Sequence, residues 1–240
     1  MSPSLGQLES PQSSQSSQAV VLLSGGLDSA VSLAKILADA PGCVAVCLTF
    51  DYGQRARQQE IAASQALCQH YGVDHQVVHL PWLSQMLPPA LAPVREGQSL
   101  FESSPDTPVE KLWVPNRNGV LLNIAAAWAE SKQAQRVVFG ANLEEAQAGF
   151  PDNTLAYRDR LNQALAMSTL TGVRVETPVG HLTKTAIVSL GASLRLPFSL
   201  LWSCYEAGAL HCGRCTSCGF LKRGLAEQQQ EQAVPFAHSC

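Results

Sequence analysis

The feature that most constrains this chain is an apolar run that ends in a glycine-rich polar turn. Residues 20–29 read VVLLSGGLDS. The run at 19–23 is short and rich in valine and leucine, which predicts a strand buried on both faces of a parallel sheet. The apolar residues of 29–37 recur at helical spacing, which predicts a helix directly after the turn. The chain therefore passes from strand to helix at two consecutive glycines.

A turn of this kind is a candidate site for the phosphates of a nucleotide. Backbone N–H groups and the helix dipole favour an anion at a helix N-terminus. Gly25 and Gly26 lack the Cβ atoms that would keep a phosphate away, and the hydroxyls of Ser24 and Ser29 add donors. Asp28 would repel a bare phosphate, so we assign it to Mg²⁺ carried with the nucleotide. The alternative is a tight turn whose glycines serve steric needs only.

The sequence of the turn also narrows the type of phosphate loop. It lacks the lysine of a Walker A motif, and its spacing differs from the dinucleotide-binding glycine pattern. SGG-x-DS resembles the pyrophosphate loop (PP-loop) of the N-type ATP pyrophosphatases. These enzymes activate a carboxylate, carbonyl or amide by transferring AMP to it.

Apolar strands and amphipathic helices alternate along the rest of the chain, which predicts an α/β fold with a doubly wound parallel sheet. In such sheets ligands bind beyond the carboxyl ends of the strands. We therefore expect the loops after residues 23, 50 and 139 to line one cleft. Further strands are predicted at 44–50, 75–80, 136–140 and 173–175, and further helices at 58–71, 119–132 and 155–170.

Four of the eight cysteines form a compact pattern near the C-terminus. Cys204, Cys212, Cys215 and Cys218 have the spacing C-x7-C-x2-C-x2-C. Four thiolates complete a closed tetrahedral shell, which predicts one structural Zn²⁺. A redox role for the Cys-x-x-Cys pairs is the main alternative. We divide the chain into a tail at 1–18, an ATP-binding α/β domain at 19–200, a zinc-binding segment at 201–225 packed on it, and a tail at 226–240.

Polar residues follow the second strand and precede the 119–132 helix. Asp51 to Arg55 combine a carboxylate, an aromatic ring and a guanidinium, and the alternative for them is a solvated turn with a salt bridge. Arg117 lies near a helix N-terminus and is suited to bind an anion bidentately. The alternative there is Asn118 as the N-cap, with Arg117 on the surface.

The loop after the fourth strand carries carboxylates beside an aromatic ring. Glu144, Glu145 and Asp152 accompany Phe150. A guanine-like ring presents a paired N–H donor edge that one carboxylate accepts, and the alternative is an acidic exposed loop. Lys184, early in the next predicted helix, is not favoured by the helix dipole and so indicates an anionic partner, unless it is solvated.

Composition restricts the class of partner. The formal net charge is -3, which gives no general electrostatic footprint for nucleic acid. The sequence contains no apolar run long enough to span a membrane, and residues 1–18 lack the apolar core of a signal peptide. We therefore expect a cytoplasmic protein with a small-molecule substrate, without nucleic acid or membrane partners.

Several segments, taken in order, resemble one family, the 7-cyano-7-deazaguanine synthases of the queuosine precursor pathway. That family belongs to the PP-loop superfamily. The resemblance implies ATP-dependent conversion of 7-carboxy-7-deazaguanine and ammonia to the nitrile, and it suggests a homodimer. The segments are SGGLDS (24–29), FDYGQR (50–55), VPNRN (114–118), GFPDN (149–153), ETP (176–178) with Lys184, and SCY (203–205) with CGRCTSC (212–218).

Site residues follow from the resemblance and from the loop chemistry above. ATP binding is expected at Leu23, Ser24, Gly25, Gly26, Leu27, Asp28, Ser29, Ala30, Val31, Ser32 and Leu33, with Phe50, Tyr52, Gln54 and Arg55 beside them. Catalytic roles are expected for Ser24, Asp28, Ser29, Arg117 and Lys184. Substrate contacts are expected at Arg117, Asn118, Glu144, Phe150 and Asp152. Asn116 stands where the family often has glycine, and Asn153 and Thr154 stand where some members have Cys-Arg.

Two other functions compete with this hypothesis. A PP-loop enzyme that modifies tRNA directly would need nucleophilic cysteines and an RNA-binding surface. A non-enzymatic zinc module that binds nucleotide for regulation would show no ATP turnover with any candidate acid.

Overall fold

The computed structural model describes residues 18–94 and 107–237. Five parallel strands form one sheet in the order β3-β2-β1-β4-β5. The predicted doubly wound parallel sheet is thereby confirmed. The strands are β1 (Ala19–Leu22), β2 (Val44–Asp51), β3 (His75–His79), β4 (Arg136–Val138) and β5 (Arg174–Glu176).

Helices cover both faces of the sheet. The helices are α1 (Leu27–Asp39), α2 (Arg57–Tyr71), α3 (Arg117–Ser131), α4 (Leu143–Gln147), α5 (Leu155–Ser168), α6 (Lys184–Ser193) and α7 (Thr216–Glu227). One apolar core lies under α1, α2, α6 and α7, and a second lies under α3 and α5. All of β1 is buried, and its residues alternate between the two cores, as its apolar sequence predicts.

The strand order places a switch point beside β1. From β1 the chain moves outward through β2 and β3, and it then returns to pair β4 with the other edge of β1. Ligands of doubly wound sheets bind where the order reverses, beyond the carboxyl ends of the strands. The glycine-rich turn at 24–29, called the PP-loop below after the motif that it resembles, follows β1 and therefore lies at that point.

Gly140 allows β4 to end against the start of α1. A Cβ built on Gly140 would lie 2.6 Å from the Ser29 nitrogen and 2.8 Å from its Cα. Backbone atoms at that distance cannot move aside cheaply, so only glycine fits there.

The C-terminal segment differs from the tail expected at 226–240. Val234 is buried in the first core, and the backbone N–H of Ala237 donates to the His211 carbonyl at 2.8 Å. The segment at 234–237 follows a glutamine-rich stretch, so the sequence pattern gives no sign that it packs against the rest of the chain. Except for Gln18, the tail expected at 1–18 lies outside the described residues, as does Cys240. In the described parts of the chain, no helix is long and apolar enough to cross a membrane.

Candidate active site and metal centre

A cavity of about 260 Å³ opens at the carboxyl ends of β1, β2 and β4. Leu23, Phe50 and Phe139 each contribute to its wall, so the loops expected to share one cleft do so. Of the PP-loop residues expected to bind ATP, those that line the cavity are Leu23, Ser24, Gly26, Leu27, Asp28 and Ser29. Ala30, Val31, Ser32 and Leu33 are buried in the first turns of α1.

Hydrogen bonds between side chains and backbone shape the PP-loop. The Ser24 and Ser29 hydroxyls lie 3.1 Å apart, and Ser29 Oγ donates to the Gly26 carbonyl at 3.1 Å. The Gly26 N–H donates to Ser24 Oγ at 3.4 Å. The Leu27 N–H donates to Ser203 Oγ at 3.1 Å. Hydroxyls therefore surround the N-terminus of α1, where an anion is favoured.

Gly25 and Gly26 favour glycine for different physical reasons. Gly25 has φ +74°, and a Cβ there would lie 2.8 Å from both Ala63 Cβ and the Glu60 carbonyl oxygen. Gly25 thus lets the loop pack against α2. At Gly26 the nearest atom to a built Cβ is Ser24 Oγ at 3.4 Å, so the side of Gly26 that a side chain would occupy is open.

Asp28, Lys184 and Glu145 form a charge cluster beside the loop, with the lysine buried at its centre. Lys184 Nζ contacts Asp28 Oδ2 and lies 3.2 Å from Glu145 Oε1. Asn142 Nδ2 donates to Asp28 Oδ2 at 3.2 Å. Burial disfavours the ammonium, but the Asp28 and Glu145 carboxylates outweigh it and hold the pKa of Lys184 above its ordinary value. Lys184 is only 8% exposed, so the alternative of a solvated lysine is wrong.

The second oxygen of Asp28 fits a cation. Asp28 Oδ1 is buried and has no hydrogen-bond partner among the described residues. A carboxylate oxygen without a partner at a phosphate loop is a suitable ligand for Mg²⁺, which binds through one or two carboxylates together with phosphate oxygens.

Glu144 and Glu145 are neighbours in sequence with different surroundings. Glu144 Oε1 accepts the Lys184 backbone N–H at 2.7 Å and so satisfies the N-terminus of α6. Glu145 lines the cavity. Of the expected substrate contacts, Arg117, Asn118 and Phe150 line the cavity, whereas Glu144 and Asp152 are not part of its wall.

Arg117 and Asn118 lie at the first turn of α3. Arg117 Nη1 donates to the Tyr52 hydroxyl at 3.2 Å, and Arg117 Nε donates to Asn118 Oδ1 at 3.2 Å. The Asn118 N–H donates to Asp152 Oδ2 at 3.2 Å, so Asp152 caps this helix. Asn116, the N-cap residue, has φ 50°, a left-handed conformation that asparagine adopts more readily than most residues. Asn116 can therefore stand at a position where the family that the sequence resembles often has glycine.

The loop after β2 is braced internally. Gln54 Nε2 donates to the Phe50 carbonyl at 3.0 Å and to Glu60 Oε2 at 2.7 Å. Gln54 Oε1 accepts the Tyr52 N–H at 3.0 Å. Burial raises the pKa of Tyr52. Gln54 therefore fixes the backbone that carries Tyr52 into the cavity wall.

Arg55 contacts the metal-binding segment. Its Nη1 lies 2.9 Å from both Glu206 carboxylate oxygens, and its Nε and Nη2 donate to the carbonyls of Ala92 and Pro89 at 3.0 and 2.9 Å. The Arg55 side chain is 6% exposed. Arg55 also lines the cavity, and these contacts hold its guanidinium against Glu206 and the carbonyls of Pro89 and Ala92.

The four cysteines come together as the spacing predicts. The Sγ atoms of Cys204, Cys212, Cys215 and Cys218 lie within 4.8 Å of one another. Backbone N–H groups of Glu206 and Cys212 point to Cys204 Sγ at 3.3 and 3.2 Å, an arrangement that stabilises thiolates. Four sulfur donors with such support form a group suited to a structural metal ion.

The imidazole of His211, the residue before Cys212, makes its contacts outside the cysteine group. Its Nε2 accepts the Ser203 N–H at 3.1 Å, and its ring packs against Trp202 at a centroid distance of 4.6 Å. The cysteines outside the pattern, Cys43, Cys47 and Cys68, are buried in the first core, as small apolar side chains are.

Sequence reasoning missed several residues that join these parts. The backbone N–H of Trp202 donates to the Gly25 carbonyl at 2.8 Å. The Ser203 hydroxyl accepts the Leu27 N–H, and the Glu206 carboxylate pairs with the Arg55 guanidinium. All three lie within two positions of Cys204 in the sequence, and this closeness was the only sign that they take part in the site. Their roles depend on contacts with loops far away in the chain.

Comparisons with known proteins point to one family. The family model described as "Queuosine biosynthesis protein QueC" matches residues 18–229. The 7-cyano-7-deazaguanine synthase of Desulforudis audaxviator is 49% identical over 210 residues, which cover 85% of this chain and 94% of the relative. The enzyme of the same name from Pelotomaculum thermopropionicum is 47% identical over 208 residues, covering 84% and 93%. That from Methanosarcina barkeri is 40% identical over 211 residues, covering 84% and 90%.

Proposed function

Because the chain belongs to the QueC family of queuosine biosynthesis proteins, we propose that it converts 7-carboxy-7-deazaguanine and ammonia to 7-cyano-7-deazaguanine with ATP. The observation that carries this proposal is a single cavity shared by the PP-loop, the Asp28–Lys184 pair and the Arg117 guanidinium. Transfer of AMP to an anionic substrate requires that the groups binding ATP and the groups binding the substrate face one cavity.

The reaction requires activation because a carboxylate cannot expel oxide. A carboxylate oxygen attacks the α-phosphorus of ATP, and pyrophosphate leaves. Ammonia then attacks the carbonyl carbon, and AMP leaves together with a proton to give the amide. A second ATP adenylates the amide oxygen with loss of pyrophosphate. Loss of AMP and the remaining N–H protons gives the nitrile.

In both activations the PP-loop binds the phosphates. Ser24, Gly26 and Ser29 line the cavity, and preorganised donors such as the two serine hydroxyls stabilise charge that develops on a leaving group. Asp28 would hold Mg²⁺ through Oδ1, and the ion would supply positive charge to the pyrophosphate. Lys184 keeps the Asp28 carboxylate oriented.

The opposite wall would hold the acid substrate. Arg117 is suited to bind the substrate carboxylate, and Phe150 offers a ring face for the base. Glu145 faces the cavity and is the better candidate for the paired N–H edge, because Glu144 caps α6 and Asp152 caps α3. We assign the four cysteines to one structural Zn²⁺. A homodimer in the cytoplasm remains part of the proposal, and sedimentation tests the dimer.

Product analysis by mass spectrometry tests the function. Purified zinc-loaded protein is incubated with 7-carboxy-7-deazaguanine, ammonium, Mg²⁺ and ATP, and we expect the nitrile together with AMP and pyrophosphate. Reactions without ATP show whether any nitrile was present from the start or forms independently of ATP. Amide as the sole product would mean that the second activation fails. Unchanged acid would contradict the proposal and turn the search to tRNA substrates.

A further inference from the structure

Ser203 directly precedes the first cysteine of the metal group, yet its hydroxyl lies at the PP-loop. Ser203 Oγ accepts the Leu27 N–H at 3.1 Å across 176 positions of sequence. Leu27 begins α1, and the N-cap residue Gly26 has no side chain that could cap it. Ser203 therefore caps the PP-loop helix from outside.

The backbone on both sides of this hydroxyl is fixed. The backbone N–H of Trp202 donates to the Gly25 carbonyl at 2.8 Å, and the backbone N–H of Ser203 donates to His211 Nε2 at 3.1 Å. His211 is only 3% exposed. The position of the Ser203 hydroxyl thus depends on the segment that carries the metal cysteines.

The hydroxyl keeps a proton to donate. A serine oxygen accepts hydrogen bonds and also has one O–H, and within the described residues Ser203 Oγ is used only as an acceptor. Ser203 lines the same cavity as Ser24 and Ser29. Its O–H can therefore reach an anion at the N-terminus of α1.

We propose that Ser203 is a third phosphate-binding serine of the ATP site, supplied by the metal-binding segment. Its oxygen holds the Leu27 N–H in place, and its O–H donates to a phosphate oxygen of bound ATP. The inference rests on the proposed function in that it takes the PP-loop ligand to be ATP. It gives the metal centre a role in nucleotide binding, because a metal bound to the four cysteines would order the residues that position Ser203.

Isothermal titration calorimetry with ATP and Mg²⁺ tests this without the acid substrate. We expect Ser203→Ala to weaken ATP binding about tenfold, since it removes a hydrogen bond to a charged group. Ser203→Thr, which keeps the hydroxyl, should bind close to the wild-type value. Ser193→Ala is the control, because that hydroxyl is exposed on α6 and bonds only the Leu190 carbonyl.

Steady-state kinetics and metal analysis complete the test. Ser203→Ala should raise KM for ATP more than it lowers kcat, with zinc content unchanged and the melting temperature lowered by no more than the loss of one helix cap explains. If it loses its metal, Ser203→Thr and Ser203→Val are compared, since they differ only in the hydroxyl. An unchanged or tighter ATP Kd in Ser203→Ala, or equal Kd values for the Thr and Val variants, overturns the inference. Wild-type protein that binds no ATP would instead refute the proposed function.

Discussion

Lys184 Nζ contacts Asp28 Oδ2 although 156 positions of sequence separate the two residues. The contact joins the first turn of α6 to the PP-loop, and Glu145 adds a second carboxylate to the same ammonium. Because the side chains of Lys184 and Asp28 are 10% and 14% exposed, little solvent screening reduces the interaction. The charge balance of the loop therefore depends on a distant helix.

Replacement of Lys184 tests this dependence. Lys184→Met leaves the largely buried Asp28 carboxylate and the half-buried Glu145 carboxylate without their cation, so we expect turnover to be lost and the free energy of unfolding to fall by about 3 kcal/mol. Urea denaturation without nucleotide measures the stability. The double variant Lys184→Met/Asp28→Asn should recover part of the stability and none of the activity. A double variant no more stable than the single one would contradict an ion pair.

Asp28 itself is expected to be essential for turnover. Asp28→Asn keeps the shape of the side chain but removes the charge that would hold Mg²⁺ and pair with Lys184, so product formation should stop while the protein stays folded. Asp39→Asn is the matched control, because Asp39 lies at the other end of α1 with a 60% exposed side chain paired to Lys35. Near-normal turnover in Asp28→Asn would refute the magnesium assignment.

Local sequence patterns predicted the parts of this site that are encoded locally. The strand, the two glycines and the serines of the PP-loop are contiguous, and the four cysteines lie within one short segment. The choice between Glu144 and Glu145 could not be made from sequence, because it depends on how α4 packs beside α6. Gly140 and Ser203 acquire their roles only when the sheet and the metal segment bring them to α1.

The metal group is expected to be structural. Cys215→Ser removes one of four ligands, so zinc measured by elemental analysis should fall from one equivalent to background, and the protein should lose solubility. The segment around it has few large apolar side chains to order it otherwise. Cys43→Ser is the control, since Cys43 lies in the core and its Sγ donates to the Ile36 carbonyl. A soluble, folded and metal-free Cys215→Ser protein would count against a structural site.

The pair Arg55–Glu206 should couple the loop after β2 to the metal segment. Both side chains are largely buried, and one guanidinium nitrogen faces both carboxylate oxygens. A double-mutant cycle with Arg55→Ala and Glu206→Ala should give a coupling energy of about 1.5–3 kcal/mol, the range for hydrogen bonds to charged groups. The exposed pair Arg158–Asp159 should give less than about 1 kcal/mol in the same measurement. Equal coupling in the two pairs would show that burial adds nothing here.

Gly140 gives the sharpest test of how the fold positions the PP-loop. Gly140→Ala places a methyl group 2.6 Å from the Ser29 nitrogen, so β4 and α1 must separate. We expect a loss of about 1–3 kcal/mol in the free energy of unfolding, as overpacking produces, and weaker ATP binding because Ser29 moves with α1. Gly219→Ala is the matched control, because a Cβ on that α7 glycine meets no atom within 4 Å. Gly219→Ala should leave ATP binding unchanged and stabilise the helix by about 0.5–1 kcal/mol. Equal effects of the two substitutions would mean that the contact between β4 and α1 does not set the geometry of the loop.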